Sequence, residues 1–198
     1  MFETRIHGRG GQGVVTAAEL LSVAAFKQGE HAQAFPSFGS ERTGAPVVSF
    51  CRIDDHSIRT REPISEPDAL IIIDPTLLHQ VDVFSGLRDD GYVLINSSRT
   101  IAELNLGALT ERFSAQRLCS VPATELAREQ LGRPLPNAAL LGAFAALTGI
   151  VTLGSVTAAI GERFAGDVGT ENILAARAAY AMVPPPNGSA ITRETVNA

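Results

Sequence analysis

Apolar residues at the start of the chain alternate with polar ones and then give way to a helical pattern. Residues 2–7 alternate as in a β-strand and end at a glycine cluster, and residues 14–26 are rich in Ala and Leu. This order predicts a strand, a tight turn and a helix. A second short strand is predicted over residues 31–35, after Gly29, a residue type that commonly follows a helix end.

Further along, continuous apolar runs are typical of strands that are buried on both faces of a parallel sheet. Such runs occupy residues 69–73 and 92–95, with a weaker run over 116–121. Helices are predicted at 75–80, 105–112, 123–130, 137–148, 155–164 and 171–183. The alternation of strands with helices predicts a doubly wound, Rossmann-like α/β fold with a mostly parallel sheet and a helical C-terminal third.

One segment departs from the parallel plan. Residues 47–53 alternate as a strand, a turn follows, and residues 57–61 are predicted to return as the antiparallel partner. The fold is therefore expected to carry an antiparallel hairpin insertion. We expect one domain over residues 1–183 and an extended or disordered tail over 184–198, where the sequence becomes Pro-rich and loses its periodicity.

Composition narrows the possible functions. Hydrophobic residues make up 45% of the 198 residues, which supports a buried core, and the net charge of −5 argues against nonspecific nucleic-acid binding. No apolar run approaches the roughly 20 residues of a membrane span, and no signal peptide is recognisable. Cys51 and Cys119 are too few to hold an iron–sulfur cluster, and they favour a cytoplasmic location. The four histidines lack the spacing of metal ligands.

The glycine cluster matches the G-x-G-x-x-G fingerprint of a phosphate-binding turn between a strand and a helix. Without Cβ atoms, backbone N–H groups and the positive helix end can approach a phosphate closely. The same glycines equally suit a turn that only allows close packing. The candidate ligand-binding residues of this turn are Gly8, Arg9, Gly10, Gly11, Gln12 and Gly13. Among them, Gln12 is also suited to face solvent at the helix start.

The acid that would hold a bound dinucleotide is missing. In NAD-binding proteins an acidic residue ends the second strand and binds the ribose hydroxyls. Here Glu30 precedes the second strand, which ends at Ala34-Phe35-Pro36. Bound NAD or FAD is therefore disfavoured, whereas the phosphates of another ligand are not.

A loop over residues 36–46 is dense in small and polar residues, and long ordered loops are often functional. Ser37 and Ser40 are candidates to donate hydroxyl groups to a phosphate, and they are equally suited to stabilise turns. Arg42 is a candidate for a phosphate or partner contact, with an internal ion pair as an equal alternative. Asn137 is most simply a helix N-cap, with a ligand role as the second interpretation.

Six blocks of sequence, in order, carry a resemblance to a known family. They lie at residues 5–17, 32–47, 52–55, 74–75, 131–134 and 137–144. Together they resemble the gamma subunit of pyruvate:ferredoxin oxidoreductases and other CoA-acylating 2-oxoacid:acceptor oxidoreductases. The resemblance covers about residues 3–183.

The resemblance implies a multi-subunit enzyme in which this chain has no catalytic residue and no cofactor of its own. Thiamine diphosphate, magnesium and [4Fe-4S] clusters would belong to alpha-, beta- and delta-type partner subunits. Coenzyme A would be a shared substrate, reached through the glycine turn and the 36–46 loop. Ferredoxin or an NAD-linked subunit would accept the electrons. The substrate would be pyruvate-like or an aryl glyoxylate, as in phenylglyoxylate dehydrogenase.

Two other functions remain open from the residues. One is a free-standing nucleotide-binding reductase, which would bind NAD(P)H or flavin by itself, and against which the missing acid argues. The other is a purely structural scaffold subunit that contacts no ligand.

Overall fold

The computed structural model describes residues 1–37 and 43–184. Their strands form one six-stranded sheet in the order β2-β3-β1-β4-β5-β6. The strands are β1 (Phe2–Arg9), β2 (His31–Pro36), β3 (Pro46–Asp54), β4 (Ala69–Ile72), β5 (Tyr92–Asn96) and β6 (Leu118–Val121). β1, β4, β5 and β6 run parallel to their neighbours in this group, and β3 is antiparallel to both β1 and β2. The predicted mostly parallel α/β sheet is confirmed.

Helices connect and cover these strands. They are α1 (Val14–Lys27), α2 (Gly107–Arg112), α3 (Ala123–Leu131), α4 (Asn137–Thr148), α5 (Leu153–Arg163) and α6 (Gly166–Met182). Two short 3₁₀ helices lie at Pro75–His79 and Ala115–Arg117. The helical C-terminal third is confirmed, and no helix within the described ranges is long and apolar enough to cross a membrane. Apart from Pro184, the expected tail lies outside the described residues.

The prediction that residues 57–61 pair with β3 is wrong. That segment has no strand structure, and its residues are exposed or half-buried. β3 instead pairs with β2 on one side and β1 on the other. The physical reason is burial: most of β3 is buried, so both of its edges need hydrogen-bonding partners, which an exposed polar segment does not supply.

Two apolar clusters of different size cover the two faces of the sheet. On one face α1 and α3–α6 pack over a large core that includes Leu21, Ile71 and Phe144. Cys51 and Cys119 belong to this core, as predicted. On the other face a smaller cluster around Ile72 lies under short helices and loops. The α4–α6 contact is so close that a Cβ on Gly142 would overlap the Ala176 carbonyl group.

The order of the strands decides where a ligand can approach. From β1 the chain passes through α1 to β2 on one side of the sheet, whereas β4 lies on the other side. The connections therefore diverge between β1 and β4. In open α/β sheets such a switch point leaves a crevice at the carboxyl ends of the strands. We refer to this side of the sheet as the carboxyl edge, and to the opposite side, where β1 begins, as the amino edge.

Candidate functional site

The glycine turn after β1 is held by short backbone hydrogen bonds to the segment before β3. The Gly10 N–H donates to the Ala45 carbonyl at 2.9 Å, and the Gly44 N–H donates to the Gly10 carbonyl at 3.1 Å. Gly11 and Gly13 have φ values of 92° and 75°, which only glycine adopts easily. Gly11 is exposed, with nothing within 4 Å of where a Cβ would lie.

Close packing explains part of the glycine pattern. A Cβ on Gly8 would come within 2.6 Å of the Val14 Cγ2 atom, and a Cβ on Gly13 would overlap the Asn137 side chain. These two glycines therefore fit the packing interpretation. At Gly11 the space beside the backbone is open, so another molecule can approach the turn there.

Arg9 is turned inward and braces the turn. Its Nε donates to Asp74 Oδ2 at 3.0 Å, and Nη1 donates to the Gly44 carbonyl at 3.0 Å. Its Nη2 donates to Thr76 Oγ1 and to Gln80 Oε1, both at 2.8 Å. The guanidinium thus ties the end of β1 to the segment after β4. With these partners, it is not a free cation for a phosphate.

Gln12 is also part of the brace and does not simply face solvent. Its Oε1 accepts from the Arg9 backbone N–H at 2.8 Å, and its Nε2 donates to Asp74 Oδ2 at 2.8 Å. Burial by itself raises the pKa of Asp74. Hydrogen bonds from Thr76 and Gln12, together with the charge of Arg9, outweigh burial and lower that pKa below its ordinary value. Asp74 is therefore an ionised anchor at neutral pH.

Two helices begin beside each other at this turn. α1 begins after Gly13 and α4 begins at Asn137, and neither has a side-chain cap. The prediction of Asn137 as an N-cap is wrong, because Pro136 occupies the cap position and Asn137 is the first helical residue. The Asn137 Oδ1 is buried and finds no hydrogen-bond partner among the described residues. Uncapped helix starts leave N–H groups and partial positive charge that suit an anion.

The remaining predicted residues lie elsewhere. Ser37 follows β2 at the carboxyl edge, exposed, with its backbone N–H bonded to the Val48 carbonyl at 2.8 Å. Two strand spacings, roughly 10 Å, separate β2 from β1. Ser40 and Arg42 lie outside the described residues. The structure therefore brings the glycine turn and Asn137 together, with Ser37 farther along the same edge.

A cleft of about 290 Å³ opens farther along the carboxyl edge. Its lining residues are Pro75, Asn96, Ser97, Ser98, Arg99, Thr124, Glu125 and Arg128. Asn96 fixes its floor: Nδ2 donates to the Ile73 carbonyl at 2.9 Å and to Thr124 Oγ1 at 2.8 Å. This cleft is not among the sites predicted from the sequence. The available signal was a polar Asn-Ser-Ser-Arg segment directly after a buried strand, since parallel strand ends converge.

The amino edge carries a different kind of surface. A cleft of about 270 Å³ there is lined by Met1, Phe2, Glu30, Ile53, Asp54, Asp55 and Ile150. Asp54, Asp55 and His56 lie close enough that three of their ligand atoms fall within 4.8 Å of one another. Three carboxylates, of Glu30, Asp54 and Asp55, line this cleft against one cation, the Met1 amine, so its net charge disfavours a phosphate.

Comparisons of the sequence and of the fold with known proteins all find members of one family. The family model described as pyruvate ferredoxin/flavodoxin oxidoreductase matches residues 3–182. The chain is 48% identical over 180 residues, 91% of its length and 96% of the relative's, to pyruvate synthase subunit PorC of Methanothermobacter marburgensis. It is 50% identical, with the same coverage, to the pyruvate/ketoisovalerate oxidoreductases common subunit gamma of Thermococcus kodakarensis. The crystal structure of pyruvate oxidoreductase subunit PORC from Thermotoga maritima has a TM-score of 0.76 and 35% identity, covering 91% of this chain and 95% of that one.

Proposed function

The chain belongs to the pyruvate ferredoxin/flavodoxin oxidoreductase family, and we propose that it is the gamma subunit of a complex that converts a 2-oxoacid into an acyl-CoA. Two relatives named as a PorC subunit and a common subunit gamma support this role, because the match covers 96% of each of them. Alpha-, beta- and delta-type subunits are its proposed partners, with ferredoxin or an NAD-linked subunit as electron acceptor. The proposed location is the cytoplasm, because both cysteines are free thiols.

The redox and decarboxylation chemistry is assigned to the partner subunits. An iron–sulfur cluster normally needs four thiolates. Cys51 lies on β3 and Cys119 on β6, with three strands between them, so they do not fit a cluster site within this chain. Burial also raises the pKa of Cys51 to about 12 and that of Cys119 to about 11. Thiamine diphosphate, magnesium and the clusters therefore fit the partner subunits.

What this chain supplies, in our proposal, is a contact for the phosphates of coenzyme A. The observation that carries it is the meeting of two uncapped helix starts at Gly13 and Asn137, beside the exposed Gly11. Open N–H groups and two positive helix ends stabilise an anion without any charged side chain. Arg9 and Gln12 contribute by holding the turn in this shape rather than by touching the ligand.

For the substrate we propose pyruvate or a branched-chain oxoacid. Two relatives with about half of their aligned residues identical are named for pyruvate and for pyruvate with ketoisovalerate. None of the relatives reported above supports an aryl glyoxylate. The oxoacid pocket itself would lie mostly in other subunits, so this part of the proposal rests on similarity alone.

Thr16→Glu tests the phosphate contact in the complete complex. Thr16 lies in the first turn of α1, which has no acidic residue, and a glutamate there favours helix formation. The new carboxylate would compete with a phosphate for the same N–H groups. We expect the KM for coenzyme A to rise by about tenfold, with the KM for the oxoacid and the assembly of the complex unchanged. Thr16→Gln, of the same shape without the charge, is the control.

The same experiment weighs the alternatives. The inward-facing Arg9 and Gln12 favour a structural role for that half of the turn, and a pure scaffold would leave the KM for coenzyme A unchanged in both variants. That result would contradict the proposed coenzyme A contact. A free-standing reductase would show saturable NAD(P)H or flavin binding by the isolated chain in a separate measurement, and such binding would contradict the proposed role as a subunit of a complex.

A further inference from the structure

We propose that the cleft at the carboxyl ends of β5 and β6 is a binding site for a phosphate monoester, the 3′-phosphate of coenzyme A. This rests on the proposed function, because it assumes that coenzyme A lies along the carboxyl edge. It adds a second contact, on residues that belong to neither the glycine turn nor the helix starts beside it.

The shape of the cleft is fixed by buried hydrogen bonds rather than by surface side chains. Asn96 is buried at the end of β5, and its side chain bonds both to the end of β4 and to the start of α3. Its Oδ1 also accepts from the Thr124 backbone N–H at 3.1 Å. Three chain segments are therefore locked in register around the cleft.

Two hydroxyl groups in the cleft remain available as donors. Thr124 Oγ1 accepts from Asn96 at 2.8 Å, and Ser97 Oγ accepts from the Arg99 backbone N–H at 3.0 Å. A hydroxyl that accepts a hydrogen bond retains its own O–H for donation. Phosphate oxygens are the acceptors that such donors suit.

Charge favours the same ligand. Arg99 and Arg128 are exposed, and neither forms a salt bridge with a carboxylate in the part of the chain that the structure describes. Glu103 lies near Arg99, but its pKa is lowered mainly by the backbone hydrogen bond from Thr100, and the charge of Arg99 is the weakest of its causes. Glu125 is the one acidic residue among those that line the cleft. Two unpaired guanidinium groups against one carboxylate leave net positive charge, which suits a dianion.

The separation of the glycine turn from the cleft, estimated from the strand order, favours a ligand with two anionic groups. The cleft shares Pro75 with the segment that Arg9 braces, next to Asp74. From the end of β1 to the end of β5 is two strand spacings, roughly 10 Å. A single phosphate cannot reach both places. Coenzyme A carries a pyrophosphate and a separate 3′-phosphate on the same nucleotide, and so has two anionic groups to match two contacts.

The test compares coenzyme A with dephospho-coenzyme A, which lacks only the 3′-phosphate, in the assembled complex. We expect Arg99→Gln/Arg128→Gln to raise the KM for coenzyme A by about tenfold, since two exposed charge-assisted contacts are lost. The KM for dephospho-coenzyme A should not change. Glu125→Gln should act in the opposite direction and lower the KM for coenzyme A by about twofold. Arg177→Gln, an exposed arginine on α6, is the control and should change neither value.

Each outcome separates this inference from the proposed function. If the double variant raises both KM values equally, or changes neither while Thr16→Glu still weakens coenzyme A, the cleft does not bind the 3′-phosphate and the glycine-turn contact stands. If Thr16→Glu is also without effect, both ideas fall. Because Glu125→Gln adds no bulk and predicts tighter binding, it keeps the inference testable even if the arginine variants assemble poorly.

Discussion

The two edges of one sheet have similar clefts and opposite chemistry. At the carboxyl edge lie an uncapped pair of helix starts and a cleft with two arginines. At the amino edge, a cleft of nearly equal volume is lined by Glu30, Asp54 and Asp55. Cavity size alone would not distinguish them. The distribution of charge and of open N–H groups marks only the carboxyl edge for an anionic ligand.

Polar contacts between distant segments are present at both edges, but they hold different structures in place. At the carboxyl edge, the Arg9–Asp74 pair joins β1 to the segment after β4, and Gln12 adds the helix start. At the amino edge, the Met1 amine pairs with Asp54 at 3.2 Å and Arg52 Nε donates to Glu3 Oε1 at 2.7 Å, so β1 is joined to β3. What distinguishes the carboxyl edge is that its contacts hold an uncapped helix start in place. A preorganised site for an anion is therefore expected at the carboxyl edge.

The largest predicted effect is a loss of stability on substitution of Gly13, at the carboxyl edge. Gly13→Ala would place a methyl group against Asn137 and also strain a backbone with φ 75°. We expect the free energy of unfolding to fall by about 4 kcal/mol, as the sum of left-handed strain and overpacking. Gly29→Ala, near the amino edge, has φ 95° but open space, so strain alone should cost about 1 kcal/mol. Urea unfolding of the purified chains measures both.

A double variant divides the Gly13 effect into its parts. The atoms nearest to a Cβ on Gly13 all belong to Asn137. Gly13→Ala/Asn137→Ala should therefore recover the overpacking share and leave a loss close to that of Gly29→Ala. Equal losses in the single Gly13 and Gly29 variants would show that Asn137 does not constrain the turn.

The sequence predicted those parts of the fold that depend on local periodicity. The continuous apolar runs of β4 and β5 and the bounds of α4 were correct because burial on all sides leaves a recognisable pattern. The partner of β3 was not predictable, since alternation identifies a strand but not the strand that pairs with it. The true partners, β1 and β2, surround β3 in space and precede it in sequence.

The candidate site was predictable only in part, for a similar reason. The glycine turn is a contiguous motif, so its place between strand and helix could be predicted. The inward orientation of Arg9 depends on Asp74, Thr76 and Gln80, which only the sheet brings near it. Arg99 follows β5 and Arg128 lies on α3, yet both line the cleft at the carboxyl ends of β5 and β6. No spacing rule in the sequence links two such residues.

The next largest predicted effect is a change in stability with pH, which compares His7 in β1 with His56 at the amino edge. His7 lies in β1 and accepts a hydrogen bond from Arg5 Nε at 3.0 Å. Burial, and to a lesser degree the charge of Arg5, lowers the pKa of His7 to about 4 from its usual 6.5. The unfolded chain therefore takes up a proton before the folded chain does. Stability should fall by up to about 3 kcal/mol as the pH drops from 6.5 to 4.

His56, at the amino edge, should behave in the opposite way. Its pKa is raised, mainly by the hydrogen bond and charge of Asp55. Its contribution to stability is therefore present below the unfolded pKa of 6.5 and lost as the pH rises through the folded value. The free energy of unfolding of His7→Gln and of His56→Gln, measured as a function of pH and compared with the unchanged chain, tests both contributions. An unchanged slope in His7→Gln would exclude His7 as the source of acid sensitivity.

The smallest predicted effect compares one carboxylate at each edge. Asp74 is buried and accepts hydrogen bonds from Arg9, Gln12 and Thr76. Asp74→Asn would turn an amide N–H₂ group toward donors and leave the Arg9 charge unpaired, so the free energy of unfolding should fall by about 2 kcal/mol. Because the pKa of Asp74 is lowered, its contribution should be complete above pH 3.8 and should disappear as the pH falls through the folded value.

Asp54→Asn is the matched change at the amino edge. Asp54 accepts from the His56 backbone N–H at 3.0 Å and forms an ion pair with the Met1 amine at 3.2 Å, both at the surface. Surface ion pairs are screened by water, so its loss should destabilise the chain less than the loss of Asp74. The decisive measurement is the KM of the complex for coenzyme A. It should rise in Asp74→Asn, which frees the glycine turn, and stay constant in Asp54→Asn. Equal changes in both variants would mean that the long-range brace does not prepare the carboxyl edge for its ligand.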